Sequence, residues 1–262
     1  MKVQLNGVEI AYTDEGKGTP ILFVHGYPLS KAMWEPQVKG LSSSFRVITL
    51  DLRGHGESEA PLWLYTMDIF ADDILALLDH LSINQVVLAG FSMGGYITFA
   101  FYGKYKNRVK ALVLADTRPQ ADTQEGKQGR FKSAQTAYRE GAGPIADAML
   151  PKLLTTESIQ SRPDLVQNIR SIIIGTPTTG IAGDLMAMAE RPASVSLLPE
   201  INCPTLILVG EQDGLTPPAD AILMADKIKK SKMEIIPRAG HLSNLEQPDH
   251  FTKTVRKFLE SL

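Results

Sequence analysis

The run Gly90-Phe91-Ser92-Met93-Gly94-Gly95 joins a short apolar stretch, Gln85 to Ala89, to a helical stretch through Tyr96 to Tyr102. This junction limits the possible folds more than any other segment. A strand that turns directly into a helix needs residues without a Cβ on either side of its tip, so that the two elements can approach. The residue at the tip is then forced into a sparsely allowed backbone region. Ser92 occupies that tip, at the positive end of the helix. A serine before a helix also serves as a plain N-cap. The flanking glycines and the strand before them favour the exposed turn that presents a nucleophile.

The rest of the chain carries the same rhythm. Val3 to Leu5 and Val8 to Tyr12 alternate around Asn6-Gly7, a strong hairpin signal. Ile21 to Val24, Arg46 to Leu50, Val109 to Leu114 and Pro204 to Val209 are short, nearly continuous apolar runs, as strands covered on both faces should be. Met233 to Ile236 is a short final strand. Met67 to Leu81 and Phe251 to Leu259 show helical spacing of apolar residues. The pattern predicts an α/β protein built on a mainly parallel, eight-stranded sheet with helices on both sides. From Thr117 to Asn202 no strand is expected. Helical stretches there fall around Ala121–Arg139, Ile145–Leu154, Leu165–Ile174 and Ile181–Glu190.

Composition removes several classes of function. The 262 residues include 27 basic and 29 acidic ones, a net charge of −2, which argues against a nucleic-acid footprint. No window reaches the ~18 apolar residues of a membrane span, and the N-terminus has no apolar core of a signal peptide. The single cysteine, Cys203, excludes an internal disulfide and a cysteine-based metal site. These features together predict a cytoplasmic protein. No histidine and carboxylate set has convincing metal-ligand spacing, so neither metal nor cofactor is expected.

A serine hydroxyl needs a base to act as a nucleophile near neutral pH. Of the five histidines, His241 lies in a loop after the last short strand, behind Gly240. Its own partner should be a carboxylate that fixes the ring tautomer. Asp213, just after the Leu206–Val209 strand, is the favoured candidate. Asp-Gly also favours turns by itself, and Asp116, at the end of the preceding strand, is the competing acid.

These residues carry a resemblance. His25-Gly26-Tyr27-Pro28, the Asp51-to-Ser58 loop, the Ser92 turn, Gly210-Glu211-Gln212-Asp213 and Gly240-His241 occur in the order found in α/β-hydrolases. The chain resembles that superfamily along essentially its whole length. Within it, it is similar to small cofactor-free esterases, 3-oxoadipate enol-lactonases and non-haem haloperoxidases. The resemblance implies that residues 1–116 and 203–262 form the hydrolase core and that 117–202 is an inserted helical cap. It implies a catalytic set of Ser92, Asp213 and His241. It also implies an oxyanion hole from the backbone N–H groups of Tyr27 and Met93. His25, Asp51, Arg53 and His55 would brace the loops around it.

Trp34, Leu150 and Met186 are the pocket candidates, since Met and Leu near a cap mouth make an adaptable apolar site. Nine basic residues balance nine acidic ones between Thr117 and Asn202, and no arginine pair stands out as a receptor for a dicarboxylate. The first expectation is a serine carboxylic-ester hydrolase for small, fairly apolar esters, working through an acyl-enzyme. A lactonase or a cofactor-free perhydrolase is the alternative within enzymes; a small-molecule receptor built on the same fold is the alternative outside them. A closed pocket should favour roughly two to eight acyl carbons, because overfilling a packed site is costly.

Overall fold

The computed structural model describes residues 1–62 and 64–262. Eight strands form one sheet: β1 (Lys2–Leu5), β2 (Val8–Glu15), β3 (Pro20–Val24), β4 (Arg46–Leu50), β5 (Val86–Phe91), β6 (Val109–Ala115), β7 (Thr205–Gly210) and β8 (Ser231–Ile236). Their spatial order is β1-β2-β4-β3-β5-β6-β7-β8. The β1–β2 and β2–β4 pairs are antiparallel and all others are parallel. The central strands are apolar at nearly every position because both faces are covered: all six residues of β5 and all six of β7 are buried.

Around the sheet pack α1 (Glu35–Leu41), α2 (Met67–His80) and α3 (Met93–Tyr105). The segment between β6 and β7 holds α4 (Gln124–Glu140), α5 (Ala142–Leu153), α6 (Thr156–Ser161), α7 (Pro163–Ile174) and α8 (Thr178–Glu190). After β7 come α9 (Pro218–Lys227), α10 (Ser243–Glu246) and α11 (Pro248–Glu260). Several helices start where their sequence says they should. The Thr66 hydroxyl accepts from the Ile69 N–H to cap α2, and Thr123 and Thr155 do the same for α4 and α6. Among the described residues no single helix is long and apolar enough to cross a membrane.

The α4–α8 segment is tied to the sheet at several points. The Thr176 hydroxyl donates to the Pro28 carbonyl at 3.1 Å. His55 Nε2 lies 2.9 Å from Asp184 Oδ2, an ion-pair distance off the line of a good hydrogen bond, and both side chains are fully buried. Burial, the largest single influence, would lower the His55 imidazole, but Asp184, the Arg53 carbonyl and Asp51 together outweigh it and hold the ring above its ordinary value. Gly180 packs directly on the Gly54 carbonyl, where a Cβ would stand only 1.9 Å from the oxygen.

Candidate active site

Strand β5 ends at Phe91 and α3 begins at Met93, so Ser92 is the whole connection. Its backbone has φ 52° and ψ −115°, a left-handed conformation that an L-residue adopts only when its surroundings enforce it. The glycines make the turn possible. A Cβ on Gly90 would stand 2.3 Å from the Gly94 carbonyl oxygen, and one on Gly94 would stand 2.4 Å from the Val24 carbonyl oxygen. Strand, turn and helix therefore close on each other with no room for a side chain.

His241 and Asp213 come to this serine from the ends of β8 and β7. His241 Nε2 is 2.9 Å from Ser92 Oγ, and Nδ1 is 2.8 Å from Asp213 Oδ2. Asp213 is fixed in turn. Its Oδ1 accepts from the Leu215 and Thr216 N–H groups at 2.8 and 3.0 Å, and its Oδ2 accepts from the Thr216 hydroxyl at 2.7 Å. Burial alone would raise the Asp213 carboxyl. The facing His241 and the Thr216 donors win and hold it below the usual carboxylate range.

Asp116, the competing acid, is placed elsewhere. Its Oδ1 accepts from the Gly210 N–H at 2.8 Å and its Oδ2 from the Ser243 hydroxyl. Burial, then the nearby Asp213 charge, push its carboxyl well above the usual range. The two aspartates sit on neighbouring strand ends and are driven in opposite directions. Of the two aspartates, it is Asp213 that hydrogen-bonds the imidazole.

The loop after β3 lies against the turn. A Cβ on Gly26 would meet Ser92 Cβ at 3.0 Å, so the next residue, Tyr27, begins beside the nucleophile candidate. The Tyr27 and Met93 N–H groups donate to no protein acceptor among the described residues. Met93 is the first residue of α3, where the N–H points out of the helix. His25 braces this loop: its Nε2 accepts from the Leu52 N–H at 3.1 Å, and its Nδ1 lies 3.0 Å from the Gly26 carbonyl. Nearby, Asp51 takes the Lys31 backbone N–H and ammonium, and Arg53 forks the Asp73 carboxylate.

Glu246 is a residue that sequence reasoning did not single out. One of its oxygens accepts from the Gly240 N–H at 2.7 Å, and the other accepts from the Thr155 N–H and hydroxyl at 2.9 and 2.7 Å. This buried carboxylate clamps the His241 loop to the start of α6. It closes the short helix α10, outside every catalytic motif that the sequence offers.

Above Ser92 opens a cavity of about 390 Å³. Ile145, Met149, Leu185, Met188 and Leu215 form its apolar lining, with Tyr27, Tyr96 and His241 around the mouth of the turn. Arg118, Arg130 and Lys152 also line it, with Asp122 as the acid among them. The three expected pocket residues are not part of this lining. Trp34 is 1% exposed and packs between Phe23, Phe91 and Phe251, with ring centroids 4.7, 6.2 and 6.1 Å away. Leu150 turns into the helical core while its neighbour Met149 faces the cavity. Met186 faces a separate surface depression beside Phe131 and Tyr138, while Leu185 and Met188 face inward. On a helix one residue is about 100° of rotation, so a register error of one moves a side chain off the site. No arginine pair stands out in the sequence as a receptor for a dicarboxylate; Arg118 and Arg130, twelve residues apart, both line the cavity, and both bind Asp122.

Residues 19–248 match the family model for the alpha/beta hydrolase fold, and the chain belongs to that family. A thermophilic esterase from Thermogutta terrifontis, solved with malate bound, is 42% identical and superposes with a TM-score of 0.97 over 100% of this chain and 98% of that one. The enol-lactonase from Burkholderia xenovorans is 32% identical, with a TM-score of 0.93 over 99% of this chain and 100% of that one. The 3-oxoadipate enol-lactonase 2 of Acinetobacter baylyi is 30% identical over 92% of this chain and 88% of its own length. The protein is a hydrolase of this family.

Proposed function

We propose that the protein is a serine ester hydrolase acting through an acyl-enzyme, with Ser92, His241 and Asp213 as its catalytic residues. The observation that carries this reading is the unbroken chain of hydrogen bonds from Asp213 through both imidazole nitrogens to a hydroxyl held in strained backbone geometry. Ser92 Oγ attacks the ester carbonyl while His241 Nε2 takes its proton. The oxyanion that forms is received by the Tyr27 and Met93 N–H groups, preorganised beside the turn and at the α3 N-terminus. Collapse of the tetrahedral species breaks the bond to the alcohol, which leaves with the proton from His241. Water then attacks the acyl-enzyme by the same steps and frees the acid and Ser92. Asp213 stabilises the imidazolium at each stage and stays ionised, in keeping with its depressed proton affinity. A cytoplasmic location goes with this reading, on the lone Cys203.

A second reading has its own support. Arg118, Arg130 and Lys152 around one acid give the cavity an excess of positive charge. That suits an ester or lactone that carries a carboxylate, as the malate-bound esterase and the enol-lactonase relatives suggest. The test is a panel pairing neutral esters with carboxylated esters and lactones of equal size. Turnover of the panel that disappears in Ser92→Ala supports the ester-hydrolase reading. Undiminished turnover by a folded Ser92→Ala protein removes it. A preference for the carboxylated lactone over its open-chain ester selects the second reading.

A further inference from the structure

Helix α3 runs away from Ser92 and carries one face into two different spaces. Tyr96 lies one turn beyond Ser92. Phe99, Ala100, Gly103 and Lys104 follow it at the three- and four-residue spacing of a single helical face. Tyr96 lines the active cavity. It also lines, with those four residues, a second cavity of about 410 Å³ to which Met67 and Leu197 contribute apolar surface. Tyr96 and Arg118 are the residues common to both linings, so the two spaces lie back to back at that pair.

The partition is held from both sides. On the second-cavity side the Arg191 guanidinium carbon sits 4.1 Å from the Tyr96 ring centroid. Arg191 is itself fixed by the Met188 carbonyl at 2.6 Å, the Gln120 carbonyl at 3.0 Å and Asp122 at 2.8 Å. Asp122, on the active-cavity side, also binds Arg118 at 3.0 Å. A ring stacked on a buried guanidinium held by three hydrogen bonds does not swing freely. The space behind it opens to solvent at its far end, where Gly103 is exposed and a Cβ on it would meet nothing within 4 Å.

We propose that Tyr96 is the specificity-determining residue that ends the acyl pocket, its ring closing the active cavity against a second chamber able to take several more methylenes of a straight acyl chain. The proposal deepens the ester-hydrolase reading and rests on it for its kinetic test. Each methylene buried beyond the present limit is worth about fourfold in kcat/KM.

The experiment is a chain-length profile with p-nitrophenyl esters from acetate to myristate. The parent protein should fall off within roughly eight acyl carbons. Tyr96→Ala should move the fall-off outward by several carbons, gaining about fourfold per added carbon relative to the parent. Tyr96→Phe keeps the ring and should keep the parental limit. Gly103→Leu puts a side chain into the second chamber from its solvent-open end. It should pull the limit back in the Tyr96→Ala background and leave the profile of the otherwise unchanged protein as it was. Tyr96→Val serves if the alanine variant does not fold. A folded Tyr96→Ala protein with the parental limit overturns the proposal. So does an extended limit that Gly103→Leu does not reverse. Calorimetric titration of straight-chain carboxylates into Ser92→Ala, with and without Tyr96→Ala, reads the same limit without turnover. Ester hydrolysis absent from every variant would thus remove the catalytic reading and still leave the partition to stand or fall on its own.

Discussion

The floor and the roof of the active cavity are built on different principles. The floor is made of strand ends. Ser92, Asp213 and the His241 loop are placed there by backbone geometry: a left-handed turn, glycines in direct backbone contact, and carboxylates that accept from backbone N–H groups. The roof is made of helices α4, α5 and α8 with the loop that leads into α4, and it supplies side chains: methionines, leucines and the Arg118–Asp122–Arg130 cluster. Chemistry tolerates little displacement, since reacting groups misplaced by an ångström lose large factors in rate. Shape and charge selection tolerate more. On the proposed function, the reaction belongs to the strand ends and the choice of substrate to the helical part.

This contrast can be broken most decisively at the floor. Ser92→Ala should lower kcat for ester hydrolysis by roughly 10⁶ with an unchanged melting profile, since alanine fits the same turn with the same strain. Ordinary rates in that protein would move the reaction elsewhere. Next in size is the pair of buried aspartates. Asp213→Asn should lower kcat by about 10⁴, because an amide leaves the imidazole in the wrong tautomer. Asp116→Asn should change kcat by no more than about tenfold, as Asp116 bonds Gly210 and Ser243 rather than the ring. Reversed effects would mean that Asp116 is the catalytic acid and that the resting geometry misleads.

A smaller effect is expected at the roof. Lys152→Gln should shift the ratio of kcat/KM between neutral and carboxylated esters by up to about fivefold, as an exposed charge does. The shift should shrink with added salt. A roof substitution that lowered kcat for every substrate alike would erase the division between reaction and selection.

The smallest effect is on stability and reads the opposite titration of the two aspartates. The folded protein holds the Asp116 carboxyl above its unfolded value of ~3.9. Folding then favours the protonated acid, and that stability is present below about pH 4 and lost as pH rises through the raised value. The amide of the Asp116→Asn protein does not titrate. The difference in Tm between this variant and the parent should therefore move in the variant's favour as pH rises from about 4. Asp213→Asn should do the reverse. The depressed Asp213 carboxyl stabilises the parent above about pH 4 and ceases to do so as pH falls through its lowered value. Parallel pH dependence in the two variants would contradict the environments described for them.

Much of the floor was legible from residue order. Apolar runs of strand length marked the central strands, because a parallel sheet buried on both faces leaves no position for alternation, and alternation around Asn6-Gly7 marked the first two. The Gly90-to-Gly95 turn was legible because its steric demand can be met by few residue types. The choice of Asp213 over Asp116 as the partner of His241 was a preference in sequence and became a hydrogen bond in the structure. The roof was legible only as helices. Periodicity reveals that a helix has an apolar face, and it does not reveal what that face meets. Met149 and Leu150, or Met186 and Leu185, are equivalent in composition and differ only in the direction they point. Trp34 looked like a pocket wall because it follows the Tyr27 loop, and it lies instead in the aromatic core under β5.

What the sequence alone determined is the set of local, strongly constrained features: strand runs, the strained turn, the helical character of residues 117–202, and the order of Ser92, Asp213 and His241. What only the tertiary structure decided is every relation between segments far apart in the chain. The Glu246 clamp on Thr155, the burial of His55 against Asp184, the gathering of Arg118, Arg130 and Arg191 on Asp122, and the placing of Tyr96 between two cavities are of this kind. Local patterns are set by steric rules that act over a few residues. The docking of one helix on another depends on how whole surfaces interlock, and no short window of sequence contains both surfaces.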